Sequence, residues 1–421
     1  MTYMKNLTTE VCVVGDGAAG LMAAVSAAAA GARVTVLERE ERPLRKLRIT
    51  GKGRCNVTNN CEPEQVMKNT VHNGRFLFSA LRAFPPAAAM RFFEELGVPL
   101  KTERGNRVFP VSDRAGDVAE ALLREAGRMG VVMTCARVRE LIRDEEGRIA
   151  GVKWENGSLT APAVILATGG LSYPATGSTG DGYGLAEAVG HSVVPCRPSL
   201  VPLVSPDPDC AAMQGLSLKN VRLSLMEAGK GCIRQEQGEM QFTHFGVTGP
   251  MILSASAYME PGKTYSLELD LKPALDEAVL DRRLLHDFGE NRNRDFRNAL
   301  GDLLPRLMIP VIVGRSGIPP ETKVNAVTRE QRRALLQALK HFRISISGTR
   351  PIEEAVITSG GIDLRQTVPA TMGSRLVKGL YFAGELLDLD ACTGGFNLQI
   401  AWSTGRAAGL AAAAYAKGAA E

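Results

Sequence analysis

A glycine-rich turn near the amino terminus constrains the fold of this chain more than any other feature. Residues 11–14 read Val-Cys-Val-Val, residues 15–20 read Gly-Asp-Gly-Ala-Ala-Gly, and alanine dominates residues 18–30. A second strand-like segment, residues 33–37, leads into Glu38. Strand, tight turn and helix in this order are the setting of the dinucleotide-binding fingerprint, in which glycines permit the close approach of a pyrophosphate. The pattern therefore predicts a Rossmann-like α/β domain.

The same turn predicts where a dinucleotide binds. Unpaired N–H groups and the helix dipole favour a pyrophosphate at the helix amino terminus. Glu38 follows the last glycine at roughly the 20-residue spacing at which an acid binds a ribose hydroxyl. The alternative is a structural glycine-rich turn in some other α/β protein. The combination of strand, spacing, helix and terminal acid favours the nucleotide.

A second strand, glycine-rich loop and helix follow near the carboxyl terminus. Residues 379–383 are strand-like and lead to Gly384 and Glu385, and a glycine-containing stretch, 393–399, precedes a helical pattern over 400–417. FAD is long, and its isoalloxazine end needs an anchor far from the pyrophosphate. This second unit therefore favours FAD over NAD. No second G-x-G-x-x-G follows a strand, so a nicotinamide that reduces the flavin would have to dock transiently.

Composition excludes several other classes. The chain has 421 residues, enough for two or three domains, and a formal net charge of +5 with dispersed Lys and Arg, which gives nucleic-acid binding little support. Its eight cysteines form no C-x-x-C, which excludes zinc ribbons and thioredoxin-type pairs, and we predict no metal site. The first residues lack a signal-peptide pattern, and no apolar run could span a bilayer. We therefore expect a soluble, cytoplasmic protein without a membrane partner, of undetermined oligomeric state.

Three segments resemble one known family. They are I-T-G-K-G-R-C-N at 49–56 with the three residues after it, T-H-F-G-V-T-G-P at 243–250, and residues 379–397. Over essentially the whole chain, the sequence resembles those of the HI0933-like flavoproteins. The resemblance implies FAD and an α/β fold: a Rossmann-like FAD-binding domain built from both chain ends, an inserted β-barrel-like domain and a small helical subdomain. We place these at 1–192 with 355–421, at 193–270 with 342–354, and at 271–341. Asp16 departs from the family's usual glycine, and we expect its side chain to point outward.

The resemblance and the motifs together assign residues along the cofactor. The amino-terminal turn would hold the pyrophosphate and Glu38 the adenosine ribose, while Val138 resembles the position whose backbone meets adenine in such folds. The carboxyl-terminal loop would face the ribityl chain and the flavin N1–C2=O edge, where a helix amino terminus stabilises charge on reduction. The full set is Gly15, Gly17, Ala18, Ala19, Gly20, Glu38, Arg39, Lys46, Arg54, Cys55, Asn56, Val138, Thr168, Gly169, Gly384, Glu385, Asp390, Gly395, Asn397 and Leu398.

Two residues are candidates for catalysis. His244 lies in the second family-like segment and could donate a proton or bind substrate. Tyr173, in the glycine-rich loop after residue 169, could donate a hydrogen bond to a substrate carbonyl and so activate an enone towards hydride. The alternatives are a structural histidine and a packed tyrosine.

Family resemblance implies an FAD-dependent oxidoreductase acting on a small molecule. The leading hypothesis is a reductase of the conjugated C=C bonds of 3-oxo-Δ4,6 bile-acid intermediates, with NAD(P)H as electron donor. One alternative is an amine oxidase of the aminoacetone type that passes electrons to oxygen. The other is a flavoprotein that is non-catalytic or modifies RNA.

Overall fold

Short apolar runs in the first part of this chain become buried parallel strands. A computed structural model describes residues 5–418. Two compact units are present: the first comprises the described residues through Ser199 and from Ile352 onwards, and the second is Leu200–Pro351. The prediction that the chain lacks a signal peptide concerns its first residues, and residues 1–4 lie outside the described part of the structure.

The strands fall into five sheets. In chain order they are β1 Lys5–Thr8, β2 Val11–Val14, β3 Val34–Glu38, β4 Thr58–Asn59, β5 Leu100–Glu103, β6 Arg107–Pro110, β7 Val132–Cys135, β8 Glu140–Arg143, β9 Ile149–Trp154, β10 Gly157–Thr160, β11 Ala163–Leu166, β12 Val193–Ser199, β13 Leu203–Val204, β14 Ser217–Glu227, β15 Gly231–Thr243, β16 Gly246–Thr248, β17 Tyr265–Asp270, β18 Phe342–Ile346, β19 Gly348–Thr349, β20 Ile357–Ile362 and β21 Leu380–Phe382.

The α-helices surround these sheets. They are α1 Ala18–Ala29, α2 Arg45–Gly53, α3 Pro63–Asn69, α4 Phe78–Ala83, α5 Pro86–Glu95, α6 Ala115–Arg128, α7 Asp181–Glu187, α8 Pro208–Ala212, α9 Pro250–Ser256, α10 Glu277–Glu290, α11 Ile309–Ser316, α12 Arg329–Lys340 and α13 Phe396–Gly418. Apolar residues at helical spacing predict helices over 75–83, 86–96 and 115–129, and α4, α5 and α6 confirm them with bounds shifted by up to three residues.

A five-stranded parallel sheet carries the first unit. Its order is β21-β11-β2-β3-β7, so a strand from near each chain end lies in one sheet. Every residue of β2 and β11 is buried, as in a sheet covered on both faces. The carboxyl ends of these strands meet at one edge, where α/β proteins bind ligands. The Rossmann-like fold is confirmed.

One strand assignment was wrong. Short alternating segments at 134–141 and 149–154, separated by a turn-like stretch, predict a small antiparallel ribbon, but Val132–Cys135 instead extends the parallel sheet beside β3. The antiparallel pairing begins later, between β8 and β9. Three of the four residues of β7 are exposed, so this edge strand lacks the burial pattern from which its parallel partner could be predicted.

Close packing of the first and last helices explains the alanine-rich chain ends. A Cβ on Gly405 of α13 would overlap the carbonyl oxygen of Ala19 in α1, and one on Gly409 would overlap that of Ala23. Only glycine permits this approach of two helix backbones. Small residues at both ends of the chain thus bring α1 and α13 together beside the parallel sheet.

The second unit is an antiparallel sheet with helices. Its strand order is β18-β17-β14-β15-β16-β13-β19, and the two outermost strands follow one another in the chain, as in a barrel-like closure. One hydrophobic cluster contains residues of this sheet, such as Phe242 and Phe342, together with Leu284 and Leu335 of the helices. Sheet and helices of this unit therefore share one core.

The predicted domain boundary at residue 193 differs from this division. β12, Val193–Ser199, pairs antiparallel with β20 and belongs to the first unit. The prolines of this segment favour a domain boundary at residue 193. The backbone of β12 nevertheless pairs with β20, which lies in the cofactor domain. No helix among residues 5–418 combines the length and the apolar character needed to cross a membrane.

Candidate cofactor-binding and active site

The glycine-rich turn between β2 and α1 is shaped by contacts that exclude side chains. Gly15 has a φ of +101°, and a Cβ there would lie 2.6 Å from the carbonyl oxygen of Ala167, while a Cβ on Gly20 would overlap the oxygen of Gly15. Gly17 is the N-cap residue of α1 and has no side chain that could satisfy the first N–H groups of the helix. The N–H groups at the start of α1, from Ala18 and Ala19 onward, can therefore receive a pyrophosphate.

Glu38 joins this turn to the end of β3. Its carboxylate accepts hydrogen bonds from the backbone N–H of Asp16 at 3.0 Å, Arg39 at 2.8 Å and Glu40 at 3.0 Å. These bonds hold the ends of β2 and β3 together where an adenosine ribose would lie in a Rossmann fold.

Asp16 corrects the expectation of an outward side chain. It is only 5% exposed, and its Oδ1 accepts from the N–H of Leu44 at 3.3 Å. Burial and, secondarily, the charge of Glu38 raise the pKa of Asp16 to about 8. Because Asp16 is buried in this turn, ionisation of its carboxyl would place a negative charge close to the predicted pyrophosphate position.

Lys46 and Glu385, separated by 339 residues, form an ion pair. Lys46 Nζ lies 2.6 Å from Glu385 Oε2 and donates to Ser172 Oγ at 2.7 Å. The other oxygen of Glu385 accepts from Ser172 Oγ at 2.7 Å and from the N–H of Thr358 at 2.9 Å. This network connects α2, the loop after β11, β20 and the segment after β21.

The arginines predicted along the cofactor are engaged with carboxylates. Arg39 Nη1 donates to Thr179 Oγ1 at 2.7 Å and lies 3.2 Å from Asp181 Oδ2. Arg54 pairs with Glu103 and Asp113 and lies over an aromatic ring. Both guanidinium groups thus stabilise loops around the site, and cofactor contact by them stays a prediction.

Among residues 5–418, several buried polar side-chain atoms lack a hydrogen-bond partner, and two of them lie at predicted cofactor positions, where a bound polar group could pair with them. They are Oδ1 of Asn56 and Oγ1 of Thr168, at the end of β11. A Cβ on Gly395 would lie 2.9 Å from Asn56 Oδ1 and would overlap the carbonyl oxygen of Thr58, so the start of α13 and Asn56 form one cradle. Unpaired buried acceptors are costly without a ligand, and FAD carries donors that can satisfy them.

Other predicted positions serve to shape this cradle. Asn397 accepts from the N–H of Ala391 at 3.0 Å and donates to its carbonyl at 2.7 Å, which fixes the loop before α13. Gly384, with a φ of +72°, lies against Ala19 of α1. The remaining positions are Cys55, which is buried and whose pKa burial raises to about 12; Val138, which is buried beyond β7; Gly169, where a Cβ would meet Ser178; and Leu398, which is half-buried.

Asp390 lies in a polar cluster that sequence reasoning did not identify. Its fully buried carboxylate accepts from Ser199 Oγ at 2.6 Å and from Ser359 Oγ at 3.3 Å, and it lies 3.4 Å from His72 Nδ1. Because the carboxylate has no exposed surface, its partners are these side chains. His72 and Asp390 are 318 residues apart, so no local pattern indicated this pair.

The two catalytic candidates belong to different units. Tyr173 precedes a short 3-10 turn in the first unit, has a φ of +51° and is half-buried, and no described residue hydrogen-bonds its hydroxyl. His244 is exposed in the turn between β15 and β16 of the second unit, with its ring 5.0 Å from that of Phe245. No cluster of potential metal ligands is present among residues 5–418.

Comparison with known proteins agrees with this geometry. A family model described as the HI0933-like protein Rossmann domain matches residues 9–411. A 3-dehydro-bile acid Δ(4,6)-reductase of Clostridium scindens is 31% identical over 414 residues, which are 96% of this chain and 99% of that protein. A ribosomal RNA dihydrouridine synthase of Escherichia coli is 31% identical over 398 residues, or 94% of this chain and 96% of that protein.

A solved structure shares the fold. The 3-ketosteroid-Δ4-(5α)-dehydrogenase of Rhodococcus jostii RHA1, determined with 4-androstene-3,17-dione, has a TM-score of 0.50 and 17% identity, with 97% of each chain covered. At this identity the likeness concerns the fold alone.

Proposed function

This chain belongs to the HI0933-like family and is an FAD-dependent oxidoreductase, and from that premise we propose that it reduces a C=C bond conjugated with a carbonyl group. The observation that carries the proposal is what two relatives have in common. Their names describe reduction of a 3-dehydro-bile acid at Δ4,6 and formation of dihydrouridine. Both are additions of two hydrogen atoms to a C=C bond conjugated with a carbonyl.

The substrate that we propose is a 3-oxo-Δ4,6 steroid acid. The bile-acid reductase supports this choice, since the match covers 99% of that protein's length. NAD(P)H is the proposed electron donor, docking transiently, since the chain has a single dinucleotide fingerprint followed by a helix.

The chain's residues have defined parts in this reaction. The start of α1 would hold the pyrophosphate of FAD and Glu38 its ribose, while the start of α13 would stabilise negative charge at the flavin edge. Bound FAD supplies the redox chemistry, because its reduced ring is a hydride donor. When the β-carbon of the substrate gains hydride, the electron pair of the C=C bond moves towards the carbonyl oxygen. Tyr173 donates a hydrogen bond to that oxygen, and the α-carbon takes a proton from water.

A rapid-mixing experiment tests the proposal. The holoprotein is reduced under nitrogen with NADH or NADPH and then mixed with a 3-oxo-Δ4,6 bile acid, while flavin absorbance is followed. We expect substrate-dependent reoxidation and a product with two more hydrogen atoms per C=C bond reduced. Flavin that is reduced by aminoacetone but not by NAD(P)H, and that is reoxidised only by oxygen, would contradict the proposal and support an amine oxidase.

Tyr173→Phe gives the matched test of the residue assignment. Loss of the hydrogen bond to the developing oxyanion should lower kcat/KM by about 10- to 100-fold, while flavin content stays unchanged. Tyr415→Phe, at a half-buried tyrosine of α13, is the control and should retain wild-type kinetics. Equal kinetics of all three proteins would remove Tyr173 from the mechanism.

Uridine in ribosomal RNA is the second candidate substrate. It is favoured by the Escherichia coli relative, which is as similar to this chain, at 31% identity, as the bile-acid reductase is. The same reduced protein is incubated with ribosomal RNA lacking dihydrouridine, and the nucleosides are analysed by mass. Dihydrouridine formation without turnover of the steroid would replace the steroid by RNA and leave the proposed C=C chemistry intact.

A further inference from the structure

Arg197 of β12 is a half-buried cation without a carboxylate partner. Its Nε donates to Ser359 Oγ at 3.2 Å and its Nη2 to His72 Nε2 at 3.1 Å. Across residues 5–418, no carboxylate pairs with it and Nη1 makes no hydrogen bond. Arg39 and Arg54 of the same unit each pair with two carboxylates. Nη1 of this half-buried guanidinium is therefore available to donate to an anionic oxygen of a ligand.

The hydrogen-bond directions define the state of His72. A guanidinium can only donate, so His72 Nε2 must accept and carries no proton. The ring proton is therefore on Nδ1, which faces Asp390 Oδ1 at 3.4 Å. Asp390 thus holds the His72 ring in place, and the ring holds Nη2 of the Arg197 guanidinium. Ser359, which also donates to Asp390, holds Nε of the same guanidinium. Nη1 of Arg197, which makes no hydrogen bond to the described residues, is therefore held in a fixed position.

This cluster adjoins the predicted flavin end of the cofactor site. Arg197 and Ser359 face each other in the β12–β20 register. The backbone N–H of Val71 donates to the oxygen of Asp390 at 2.8 Å, which holds His72 against the loop that leads into Gly395 and α13. The start of α13 is where charge on the reduced ring would be stabilised, and His72 and Asp390 connect the guanidinium to the loop that leads to it.

We propose that Arg197 is a further catalytic residue, which binds the carbonyl oxygen of the substrate in addition to Tyr173, and that His72, Asp390 and Ser359 are positioning residues. The inference rests on the proposed function, since it requires a carbonyl conjugated with the reduced bond. As hydride reaches the β-carbon, the electron pair of the C=C bond moves to this oxygen, and a fixed N–H donor with a full positive charge stabilises it. Arg197 keeps its protons throughout, and the α-carbon proton comes from water.

Binding of a phenolate tests the site without turnover. The probe is 4-nitrophenol, whose ionised oxygen resembles the enolate, titrated into oxidised holoprotein and followed by difference absorbance. We expect the wild type to bind the phenolate preferentially. Arg197→Met should weaken binding by about 10- to 100-fold, the loss expected for a charge-assisted hydrogen bond. Arg197→Lys, which keeps the charge, should recover part of it.

Variants at position 72 separate positioning from general damage. His72→Gln keeps an acceptor for Arg197, whereas His72→Leu removes it, so the glutamine variant should bind the probe more tightly than the leucine variant. Arg107→Met is the control, because Arg107 is also half-buried without a carboxylate partner but lies near an aromatic ring. It should bind as the wild type does. Circular dichroism and flavin content verify folding of every variant.

The outcomes distinguish this inference from the proposed function. Equal probe affinity for wild type, Arg197→Met and Arg197→Lys would overturn the assignment of Arg197, whether or not an enone is reduced. Equal affinity of the two position-72 variants and the wild type would overturn the positioning role. Arg197-dependent probe binding by a protein that reduces no conjugated C=C bond would uphold an oxyanion site and refute the proposed function. In an active enzyme, Arg197→Met should also lower kcat/KM by about 100-fold or more.

Discussion

At the scale of single residues, Asp16 makes the nucleotide turn sensitive to pH. The unfolded carboxyl ionises near pH 4, whereas burial and Glu38 raise the pKa in the folded chain to about 8. Between these values the folded state retains a proton that the unfolded state has lost. The free energy of unfolding therefore falls as pH rises from about 4 to about 8, and the loss is complete above that range.

Asp16→Asn removes this titration and keeps an acceptor for the N–H of Leu44. We expect the apoprotein variant to exceed the wild type in stability by about 1–3 kcal/mol at pH 9 and by much less at pH 5. Thermal unfolding over this pH series is the measurement. Asp302→Asn, at an exposed position of the second unit, is the control and should track the wild type. Parallel wild-type and Asp16→Asn curves would show that Asp16 does not titrate in this range.

The pair of Lys46 and Glu385 acts between elements, because it joins α2 to the segment after β21. Lys46→Met leaves a carboxylate that is only 15% exposed with neutral donors alone. We expect a loss of about 2–3 kcal/mol, smaller than for a fully buried pair because Lys46 is 22% exposed. Urea unfolding measures it.

A double variant isolates the charge in that network. Lys46→Met with Glu385→Gln should recover part of the stability, since no unpaired carboxylate remains. Lys68→Met, at an exposed lysine of α3, serves as the control. If the double variant were less stable than Lys46→Met, the pair would not be acting through its charges.

The contact of α1 with α13 also belongs to this scale. Gly409→Ala places a methyl group against the carbonyl oxygen of Ala23, so the helices must separate. We expect a loss of about 1–3 kcal/mol and weaker FAD binding, because both helix starts line the site. Gly127→Ala is the matched control, since α6 offers open space there, and it should stabilise by roughly 0.5–1 kcal/mol. Thermal unfolding with and without FAD distinguishes them; equal effects would contradict the packing argument.

At the scale of the whole molecule, local sequence patterns predicted the two glycine-rich segments of the cofactor site but not the contacts between distant segments. The turn from Gly15 to Gly20 and the acid at Glu38 were recognisable because a few adjacent residues create the required backbone shape. The second anchor before α13 was recognisable for the same reason. Both are positioned by one parallel sheet, in which β11 lies between β2 and β21, the strands from near the two chain ends.

What local patterns could not predict depends on contacts between distant segments. His72 and Asp390 meet only because residues 69–73 run beside the loop before α13, and Arg197 joins them through the β12–β20 pair. The burial of Asp16 depends on a contact with Leu44. The edge strand β7 was misassigned because its mostly exposed residues carry no pattern that indicates the parallel pairing with β3. In each case the contact that determines the structure joins residues too far apart in the sequence for hydrophobic periodicity to indicate it.

The central claim is that both chain ends form one site for a single FAD. Flavin content and FAD affinity of the purified chain test it most directly, with Gly20→Val and Gly395→Val, which fill the amino-terminal turn and the α13 cradle respectively. We predict one FAD per wild-type chain and loss of binding in either variant. A folded wild type that binds no FAD, or a Gly395→Val variant that binds it as tightly as the wild type, would contradict the account.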